Sequence, residues 1–531
     1  MNGGETVLPA EADWHAPYNP WLITFVATLA TFMEVLDTTI VNVALPHIAG
    51  NLGADVSDST WTLTSYLVAN AMVLPLSAWF SSLIGRKRFY LTCVALFTLS
   101  SLLCGVAPTL GTLVLCRLLQ GIGGGGLQPS SQAILVDTFP LHKRGMGMAA
   151  FGMTVVVAPI IGPTLGGWIT DNYSWRWIFF INVPIGLLSL VLSSKFISDP
   201  PYLRRRTGRT RFKVDYIGLG LLTLGIGALQ LVLDLGERYD WFDSRFIFSA
   251  AIISVIALAL AIYWELRHKD PILNLRLLGE RNLGMSAFTM FLFGVALYGS
   301  SVLLPMYMQT LMRYTAMLSG LAISPGGFVT LALLPFIGMM VSRIDIRILV
   351  SIGIAIVSWS LFNMGRFNLD VDFHTFMMAR VFQATGFAFI FVPLNTLSYS
   401  FVAKEDRNAA SSLISVTRNI GGSIGIAMAS SMITRGAQVH QTYLVAHLTP
   451  YDPGFMEVLR GTAARFTALS GDRVLGMDQA YATLMGFVRG QAATLAFVDA
   501  FRLFGLLLLI LIPAVWLTKK APHATANIAP D

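Results

Sequence analysis

Residues 117–123 read Arg-Leu-Leu-Gln-Gly-Ile-Gly, and residues 380–386 read Arg-Val-Phe-Gln-Ala-Thr-Gly, so one short pattern occurs twice in the chain. Each copy places a single arginine in an otherwise apolar stretch. Each copy is also followed, at the same interval, by a second arginine that opens the next apolar stretch, Arg144 and Arg407. The repeat predicts a chain built from two related halves.

The composition around this repeat is that of a membrane protein. Of the 531 residues, 55% are hydrophobic and 12% are charged, whereas about 25% of the residues of a typical soluble domain are charged. A membrane-spanning helix needs about 20 mostly apolar residues, and fourteen stretches of the chain qualify. Backbone groups in lipid must be hydrogen-bonded within their own segment, so such runs form helices, and no alternating strands indicate a barrel. We therefore predict an all-α membrane protein. The predicted spans are residues 21–46, 60–83, 89–107, 110–135, 146–170, 176–194, 216–233, 246–264, 282–311, 314–341, 348–364, 373–402, 408–433 and 495–518.

These spans divide the chain into two six-helix bundles with a helix pair inserted between them. Residues 434–494, between the last two spans, form a connection on the outer side that is unusually long. The predicted parts, in order, are an N-terminal segment (1–20), a first bundle (21–195), a basic loop (196–215), the inserted pair (216–264), a second loop (265–281), a second bundle (282–518) and a C-terminal tail (519–531).

Basic residues set the predicted orientation. Most of the 36 Lys and Arg residues fall in alternate loops, for example at 86–88 and 204–213, and such loops face the cytoplasm. Both termini are therefore predicted to be cytoplasmic. The same bias explains the net charge of +7, so no nucleic-acid partner is implied. The first span lacks a preceding basic region and a cleavage site, which favours a retained helix over a cleaved signal peptide.

Sequence features of enzymes and metal proteins are missing. Cys93, Cys104 and Cys116 lie in or beside apolar stretches without the spacing of metal ligands or of a disulfide framework. The glycine run 121–126 neither follows a strand nor precedes a phosphate-binding lysine, so it predicts no nucleotide site. No Walker or HExxH motif occurs. We expect neither an enzyme nor a metal or organic cofactor, and a membrane sensor or enzyme is disfavoured against a transporter built from two rocking bundles.

Carboxylates in the middle of a predicted span mark the candidate site. Glu34 and Asp37 lie three residues apart and share one face of the first span, where an ionised carboxylate is costly. Burial disfavours the ionised form and a nearby cation favours it, so a carboxylate between these influences can bind and release a proton. Asp37 is the predicted principal proton carrier, with Glu34 as a second titratable or cation-binding group. A buried carboxylate that only fixes helix packing is the alternative.

Arg117 is the only charged residue of its span, and its guanidinium stays protonated. It needs a carboxylate or a carbonyl beside it, and Asp37 is the expected partner. A static ion pair and a switching ion pair give the same sequence, so both remain open. The second arginine of the repeat, Arg380, has no carboxylate in the span 282–311 to meet it, which favours a structural role.

Four longer motifs identify a family. They are residues 36–46 (Leu-Asp-Thr-Thr-Ile-Val-Asn-Val-Ala-Leu-Pro), 117–126, 158–167 (Ala-Pro-Ile-Ile-Gly-Pro-Thr-Leu-Gly-Gly) and 175–186 (Trp-Arg-Trp-Ile-Phe-Phe-Ile-Asn-Val-Pro-Ile-Gly). With them the chain, from residue 20 to residue 518, resembles the major facilitator superfamily, and within it the fourteen-helix drug:proton antiporters of the EmrB/QacA type. The resemblance implies a multi-pass protein of the inner membrane that exports hydrophobic toxic compounds in exchange for protons by alternating access, with the proton gradient as its energy source.

The resemblance also implies roles for particular residues. Arg117 would take part in proton coupling. A motif of the fifth span would mark antiporters and seal the cavity where this span meets the second half, although such glycine stripes also serve packing alone. In the loop after the second span, Ala78 and Ser82 stand where the family has a glycine and an aspartate, which puts the charge-relay gate of that aspartate in doubt. The antiporter motif consists of Pro159, Gly162, Pro163, Gly166 and Gly167.

A cavity that accepts many hydrophobic compounds needs aromatic, methionine and sparse polar side chains. Arg418, in the thirteenth span, resembles a family motif and could contact the cargo or a carbonyl of the inner gate. The candidate lining residues are Tyr66, Asn70, Tyr298, Met306, Tyr307, Gln309, Asn395 and Arg418.

Partners follow from the resemblance. EmrB-like relatives pass their cargo to a periplasmic adaptor protein and an outer-membrane channel, and we expect adaptor contact at residues 434–494; a solvated flap is the alternative. The lipid bilayer, protons and small hydrophobic drugs are the other expected partners. Export of an endogenous lipid, fatty acid, siderophore or metabolite is the rival function, because the candidate cavity residues do not distinguish it from export of drugs.

Overall fold

The computed structural model describes residues 17–54, 56–140, 143–199, 215–268, 271–341, 343–400, 402–403 and 406–519. Most of the predicted N-terminal segment (1–20), basic loop (196–215) and C-terminal tail (519–531) lies outside these ranges. Within the described ranges the chain is helical, without strands.

The first half contains ten helices in its described residues. The first begins at Pro20 because Oδ1 of Asn19 accepts the N–H of Trp21 at 2.9 Å and because proline suits a first helical position, where no N–H is needed. The second predicted span is divided around Pro75, whose ring interrupts helical hydrogen bonding, and its two parts meet at 58°. The helices are α1 (Pro20–Leu52), α2 (Val56–Ser59), α3 (Trp61–Val73), α4 (Ser77–Ile84), α5 (Arg86–Gly105), α6 (Leu110–Gly124), α7 (Leu127–Thr138), α8 (Arg144–Asn172), α9 (Trp177–Phe180) and α10 (Asn182–Phe196).

The inserted pair consists of α11 (Tyr216–Leu235) and α12 (Arg245–Arg267), which pack against each other. Asp215, at the start of α11, connects the two helices through a hydrogen bond. Its Oδ2 accepts the indole N–H of Trp264, in α12, at 2.9 Å. The pair also lies against the first half, since α11 packs on α3.

The second half repeats the packing of the first. Helix α13 packs along α17 as α1 packs along α8, and α15 packs on α16 as α5 packs on α6. Helix α11 of the inserted pair also contacts α17. The helices are α13 (Arg281–Thr310), α14 (Ala316–Met340), α15 (Ile346–Met364), α16 (Phe373–Ser398), α17 (Arg407–Ala446), α18 (Pro453–Ser470), α19 (Arg473–Leu509) and α20 (Leu511–Trp516).

The number of membrane spans is confirmed only in part. In the described residues, 12 helices are long and apolar enough to cross a membrane, or up to 13 if α3 and α4 form one bent span. Helix α17, which holds the predicted thirteenth span, is not among them. Its serines and glycines and the charged Arg418 make it less apolar than its neighbours, although it packs along α13 and α19.

The long connection 434–494 is helical over most of its length. Helix α17 continues to Ala446, α18 follows, and α19 begins at Arg473. Helices α18 and α19 pack together around Leu459, Ala463 and Ala480. The sequence analysis does not predict helix in residues 434–494, because the apolar residues there are too few for a membrane span, and some of them form a small separate core instead.

Replacing Gly425 by alanine is expected to destabilise the second half. A Cβ there would lie 2.1 Å from the carbonyl oxygen of Val295 in α13, so α13 and α17 would have to separate, and overpacking of this kind costs about 1–3 kcal/mol. The matched control is Gly486→Ala in α19, where no atom lies within 4 Å of a new Cβ and alanine favours the helix by about 0.5–1 kcal/mol. Thermal unfolding of the purified variants measures both effects. Equal unfolding temperatures would contradict the close packing.

Candidate functional site

Asp37 is the centre of a buried polar cluster in the first half. The side chains of Asp37 and Arg117 are both 0% exposed, and Nη1 of Arg117 donates to Oδ2 of Asp37 at 2.5 Å. The other carboxylate oxygen, Oδ1, accepts hydrogen bonds from the side-chain amides of Gln120, at 3.0 Å, and Asn182, at 2.8 Å. Helices α1, α6 and α10 therefore meet at one carboxylate.

The remaining contacts of Arg117 hold its guanidinium in place. Nε donates to the carbonyl oxygen of Thr62 at 3.0 Å, and Nη1 also donates to Oε1 of Gln120 at 2.8 Å. The centroid of the Tyr66 ring lies 4.3 Å from Cζ, which adds a cation–π attraction. The expected pairing of Arg117 with Asp37 is confirmed, whereas the amides that complete the cluster were missed, because uncharged amides do not stand out within an apolar span.

This geometry makes Arg117 and a proton competitors for one carboxylate. An ionised Asp37 in a buried site is stable only with its cation and its N–H donors in place. A proton on Asp37 removes the charge that holds Arg117 and turns one acceptor oxygen into a donor. Protonation therefore requires a rearrangement between α1 and α6. The role of the pair in proton coupling stays a prediction.

Glu34 lies one turn before Asp37 but belongs to a second polar cluster. Its Oε1 accepts from the amide of Asn70 at 3.2 Å and from the hydroxyl of Tyr66 at 3.4 Å, and Oε2 accepts from the amide of Gln128 at 2.8 Å. Tyr66 connects the two clusters, since Arg117 lies over its ring. Two of the candidate cavity residues are therefore hydrogen-bonded to this carboxylate.

Gln128 continues the second cluster into the second half. Its Oε1 accepts an N–H from Nη2 of Arg418, in α17, at 2.7 Å. Arg418 is 1% exposed, and its Cζ lies 5.7 Å from the ring centroid of Phe391. Sequence reasoning had singled out Glu34 and Arg418 but not the glutamine that joins them.

The other candidate cavity residues are distributed through the second half. Tyr307 is packed in the core, where its hydroxyl donates to the carbonyl oxygen of Asn368 at 2.8 Å. Asn395 is buried and donates to the carbonyl oxygen of Phe391 in its own helix at 2.8 Å. That these residues line a cavity stays a prediction. The remaining candidates are partly or fully exposed, and they are Tyr298, Met306 and Gln309.

The glycines of the antiporter motif face α1. A Cβ on Gly162 would lie 2.0 Å from Oγ1 of Thr39, and a Cβ on Gly166 would lie 3.2 Å from the carbonyl oxygen of Ile40. Gly167 also turns towards α1. This differs from the expected contact with the second half. The absence of side chains at these positions lets two helices of the same half approach closely.

Helix α8 meets the second half through other residues. A Cβ on Gly145 would lie 2.7 Å from the carbonyl oxygen of Gly338 in α14, and a Cβ on Gly152 would lie 3.3 Å from the Phe391 ring. The motif proline Pro159 is exposed, and α8 runs through both motif prolines as one helix. The side chain of Pro163 lies outside the described structure.

An ion pair joins the two halves at the end of the bundle where α5 and α17 begin, which we call the basic end. Asp137, in α7, accepts from Nη1 of Arg407, in α17, at 2.9 Å and also from Arg86, at the start of α5. Ser82, which replaces the family's aspartate, donates to the carbonyl oxygen of Trp79 in its own helix. The halves are thus connected without the loop aspartate, through an aspartate that sequence reasoning missed.

The repeated arginine, Arg380, has a different arrangement. Its Nη1 donates to Oε1 of Gln383 at 2.6 Å, and the amide of Gln383 donates to Oγ of Ser300 at 3.0 Å. Ser300 follows Asp37 at the same interval at which Arg380 follows Arg117. A hydroxyl therefore takes the place of the carboxylate, and the second half keeps the amide link without the titratable group.

Known proteins are similar in sequence to this chain over most of its length. A family model described as Major Facilitator Superfamily matches residues 27–435. The fatty acid resistance protein FarB of Neisseria gonorrhoeae is 38% identical over 504 residues, which cover 94% of this chain and 96% of that protein. The multidrug export protein EmrB of Haemophilus influenzae is 40% identical over 433 residues, 81% of this chain and 84% of that protein. EmrB of Escherichia coli is 37% identical over 504 residues, 94% of this chain and 95% of that protein.

Solved structures share the fold at low sequence identity. The proton:xylose symporter XylE, bound to 6-bromo-6-deoxy-D-glucose, superposes with a TM-score of 0.61 at 15% identity, over 95% of this chain and 97% of that chain. The human organic anion transporter MFSD10 superposes with a TM-score of 0.58 at 16% identity, over 92% of this chain and 100% of that chain. These likenesses concern the fold alone.

Replacing Arg117 by glutamine is expected to destabilise the first half by about 3–5 kcal/mol, because Asp37 would remain buried without its cation. Adding Asp37→Asn should recover most of this loss, since no unpaired charge then stays buried. Thermal unfolding of the single and double variants in detergent measures the coupling. Arg380→Gln is the matched control, with a smaller expected loss, because its guanidinium donates to the amide oxygen of Gln383 and not to a carboxylate. Additive losses in the double variant would show that the two charges do not depend on each other.

Proposed function

The chain belongs to the major facilitator superfamily and to its EmrB-type multidrug exporters, and on this premise we propose that protons drive its export of hydrophobic toxic compounds. A multi-pass transporter of the inner membrane follows from the family. The exchange of cargo for protons is the added step, and it rests on the buried cluster of the first half.

The observation that carries the proposal is the buried ion pair of Asp37 and Arg117. A proton-driven exporter must take up a proton on one side, release it on the other, and change its conformational preference in between. A carboxylate can bind and release the proton. The guanidinium supplies the conformational change, because it has to find other acceptors once the carboxylate is neutral.

Alternating access also requires contacts that open and close. At the basic end, Asp137 of the first half pairs with Arg407 of the second, and the backbones of Gly145 and Gly338 approach closely. These contacts hold the two halves together at that end. We propose that they separate when the transporter opens there, while the packing of α1 on α8 and of α13 on α17 stays intact within each half.

The topology that fits this mechanism has fourteen crossings and both termini in the cytoplasm. In it, α3 and α4 form the second crossing and α17 forms the thirteenth. The basic end then faces the cytoplasm, as the positive-inside rule requires. Helix α17 reaches the opposite face and continues beyond the bilayer towards α18.

Asp37→Asn is expected to abolish proton-driven export while leaving membrane insertion intact, because asparagine keeps the shape of the side chain and cannot carry the proton. Purified protein in proteoliposomes with an imposed pH gradient provides the measurement, with cargo movement and proton release recorded together. Undiminished coupling in Asp37→Asn would remove Asp37 from this role, and cargo moving in the direction of the protons would identify a symporter.

The matched control for this variant is Asp171→Asn. Asp171 lies near the end of α8 and its side chain is 71% exposed, so its neutralisation changes the net charge by the same amount without touching the buried cluster. Transport by this variant should equal that of the parent within about twofold, since surface charges interact weakly through water.

A tripartite export path is the second part of the proposal. Helix α18 and the first part of α19 lie outside the predicted spans, and Tyr451, two residues before the start of α18, is 94% exposed. Large exposed apolar side chains on a soluble surface often mark a protein interface. We propose that this surface contacts a periplasmic adaptor protein and, through it, an outer-membrane channel. The exposed apolar residues on this surface are Tyr451, Val458, Leu469, Val474 and Tyr481.

Replacing Tyr451, Leu469 and Val474 by serine should impair export in intact cells and leave export in proteoliposomes unchanged, because only the cell contains the adaptor. Drug susceptibility of a deletion strain that carries each variant measures the first effect. The pH-gradient assay measures the second. Loss in both systems would indicate a folding defect, and no loss in either would remove this surface from the export path.

Fatty acids are the second candidate cargo. The relative FarB, which covers most of this chain, is named for fatty acid resistance, whereas the EmrB relatives are named for multidrug export. Growth of a deletion strain, with and without the parent gene, in the presence of uncouplers, quinolones, dyes or long-chain fatty acids separates the two. Asp37→Asn complementation in the same screen separates export from other causes of resistance.

A further inference from the structure

Gln128 joins a carboxylate of the first half to an arginine of the second. Its amide nitrogen donates to Oε2 of Glu34 at 2.8 Å, and its amide oxygen accepts from Nη2 of Arg418 at 2.7 Å. An amide has one donor end and one acceptor end, so a carboxylate on one side and a guanidinium on the other fix its orientation. Each partner therefore depends on the other for the position of Gln128.

Arg418 depends on this amide more than a surface arginine would. It is 1% exposed, and Nε and Nη1 have no hydrogen-bond partner in the described part of the chain. Among the described residues, the amide oxygen of Gln128 is therefore the acceptor that holds the guanidinium. The hydrogen bond from a buried cation to its single acceptor depends on the charge of the group to which that acceptor is itself bonded. For Arg418 the acceptor is the amide of Gln128, and the group bonded to that amide is Glu34.

The contact lies close to the surface where the halves meet at the basic end. From Arg418, α17 leads towards this end to Ser411 and Ser412. The hydroxyl of Ser411 donates to the carbonyl oxygen of Pro129 at 3.0 Å, and that of Ser412 donates to the carbonyl oxygen of Leu74 at 2.9 Å. A movement of α17 away from α7 separates Arg418 from Gln128 and Ser411 from Pro129 together.

The charge on Glu34 determines the strength of the hydrogen bonds that link Glu34, Gln128 and Arg418. With Glu34 ionised, the carboxylate, the amide and the guanidinium polarise one another in the same direction. With Glu34 protonated, the amide loses its anionic acceptor, and Arg418 loses the negative charge beyond the amide. Among the described residues, the other titratable groups that face Glu34 are Asp37 on α1 and Tyr66 on α3. The charged Arg117, on α6, lies over the Tyr66 ring.

We propose that Gln128 is a positioning residue that transmits the protonation of Glu34 to the contact between the two halves. The ionised state holds the basic end closed, and protonation releases it. This direction suits an antiporter, because a proton taken up from outside then favours opening to the cytoplasm, where it can leave. The proposal rests on the proton-coupled export proposed above.

The test is a disulfide that reports whether the basic end is closed. Ser77 of α4 and Ser412 of α17 have their hydroxyl oxygens 3.4 Å apart, so Ser77→Cys with Ser412→Cys forms a cross-link in the closed state. The three native cysteines are replaced by alanine in this full-length background. An added oxidant drives cross-linking in proteoliposomes between about pH 8 and about pH 5.5, a range over which the reactive thiolate fraction itself falls. The yield at each pH is therefore divided by that of a reference pair within the first half, Thr31→Cys with Ser131→Cys, whose hydroxyl oxygens lie 2.9 Å apart. The yields given below are these normalised yields.

The parent background should lose about fivefold or more of its cross-linking yield on acidification, the size of an ordinary coupling between two sites. Gln128→Met keeps the length of the side chain but removes donor and acceptor, so its yield should vary with pH by less than about twofold. The matched control is Gln132→Met, one turn further along α7. Gln132 accepts from Tyr399 across the same interface, at 3.1 Å, but is not bonded to a carboxylate, so its pH dependence should persist.

Glu34→Gln keeps the proposal testable if Gln128→Met does not fold. This variant retains an acceptor for the amide but cannot titrate, so its yield should be independent of pH. Three results would overturn the proposal: a parent without pH dependence, a Gln128→Met variant that retains it, or a Gln132→Met variant that loses it equally. Proton-driven export by the parent is measured in the same vesicles. Its absence would reject the proposed function, whereas the cross-linking results bear on Gln128 alone.

Discussion

A cation buried in a membrane bundle must be met by a negative charge or by well-placed acceptors, and Arg117 imposes this constraint on the whole first half. Its side chain requires Asp37 from α1, the amide of Gln120 on its own helix and a carbonyl oxygen at Thr62. The amide of Asn182, on α10, donates a further hydrogen bond to the Asp37 carboxylate. The relative positions of these four helices depend on one guanidinium. Helix α1, which carries the carboxylate, is also the helix against which α8 packs closely.

The sequence predicts the features that stand out against an apolar background. Asp37, Glu34 and Arg117 are charges in spans where charges are costly, and this made their positions, and the pairing of two of them, predictable. Gln128 and Asn182 do not stand out, since an amide in a helix has many uses and only its neighbours in space reveal which applies. The sequence also does not predict which helix the antiporter motif contacts, because the spacing of Gly162 and Gly166 defines a face of α8 but not the helix that packs against it.

The two halves repeat the same packing and differ in chemistry. Ser300 occupies the place of Asp37, and Gln383 keeps the link to Arg380 that Gln120 makes to Arg117. The duplicated framework therefore carries its carboxylate cluster in one half only. The link between the halves then has to run through residues that are not part of the repeat, such as Asp137 at the basic end and the contact of Gln128 with Arg418.

Synthesis of the second half is constrained by α17. A segment partitions from the insertion machinery into lipid when its summed transfer free energy is favourable. Helix α17 is not among the helices of the described chain that are long and apolar enough to be candidate spans. Gly421 and Gly425 lower its hydropathy, and they are also the residues that let it lie against the backbone of α13. In the proposed topology of fourteen crossings, α17 therefore enters the bilayer against a partner that is already there. The order of the chain provides this partner, because α13 leaves the ribosome first.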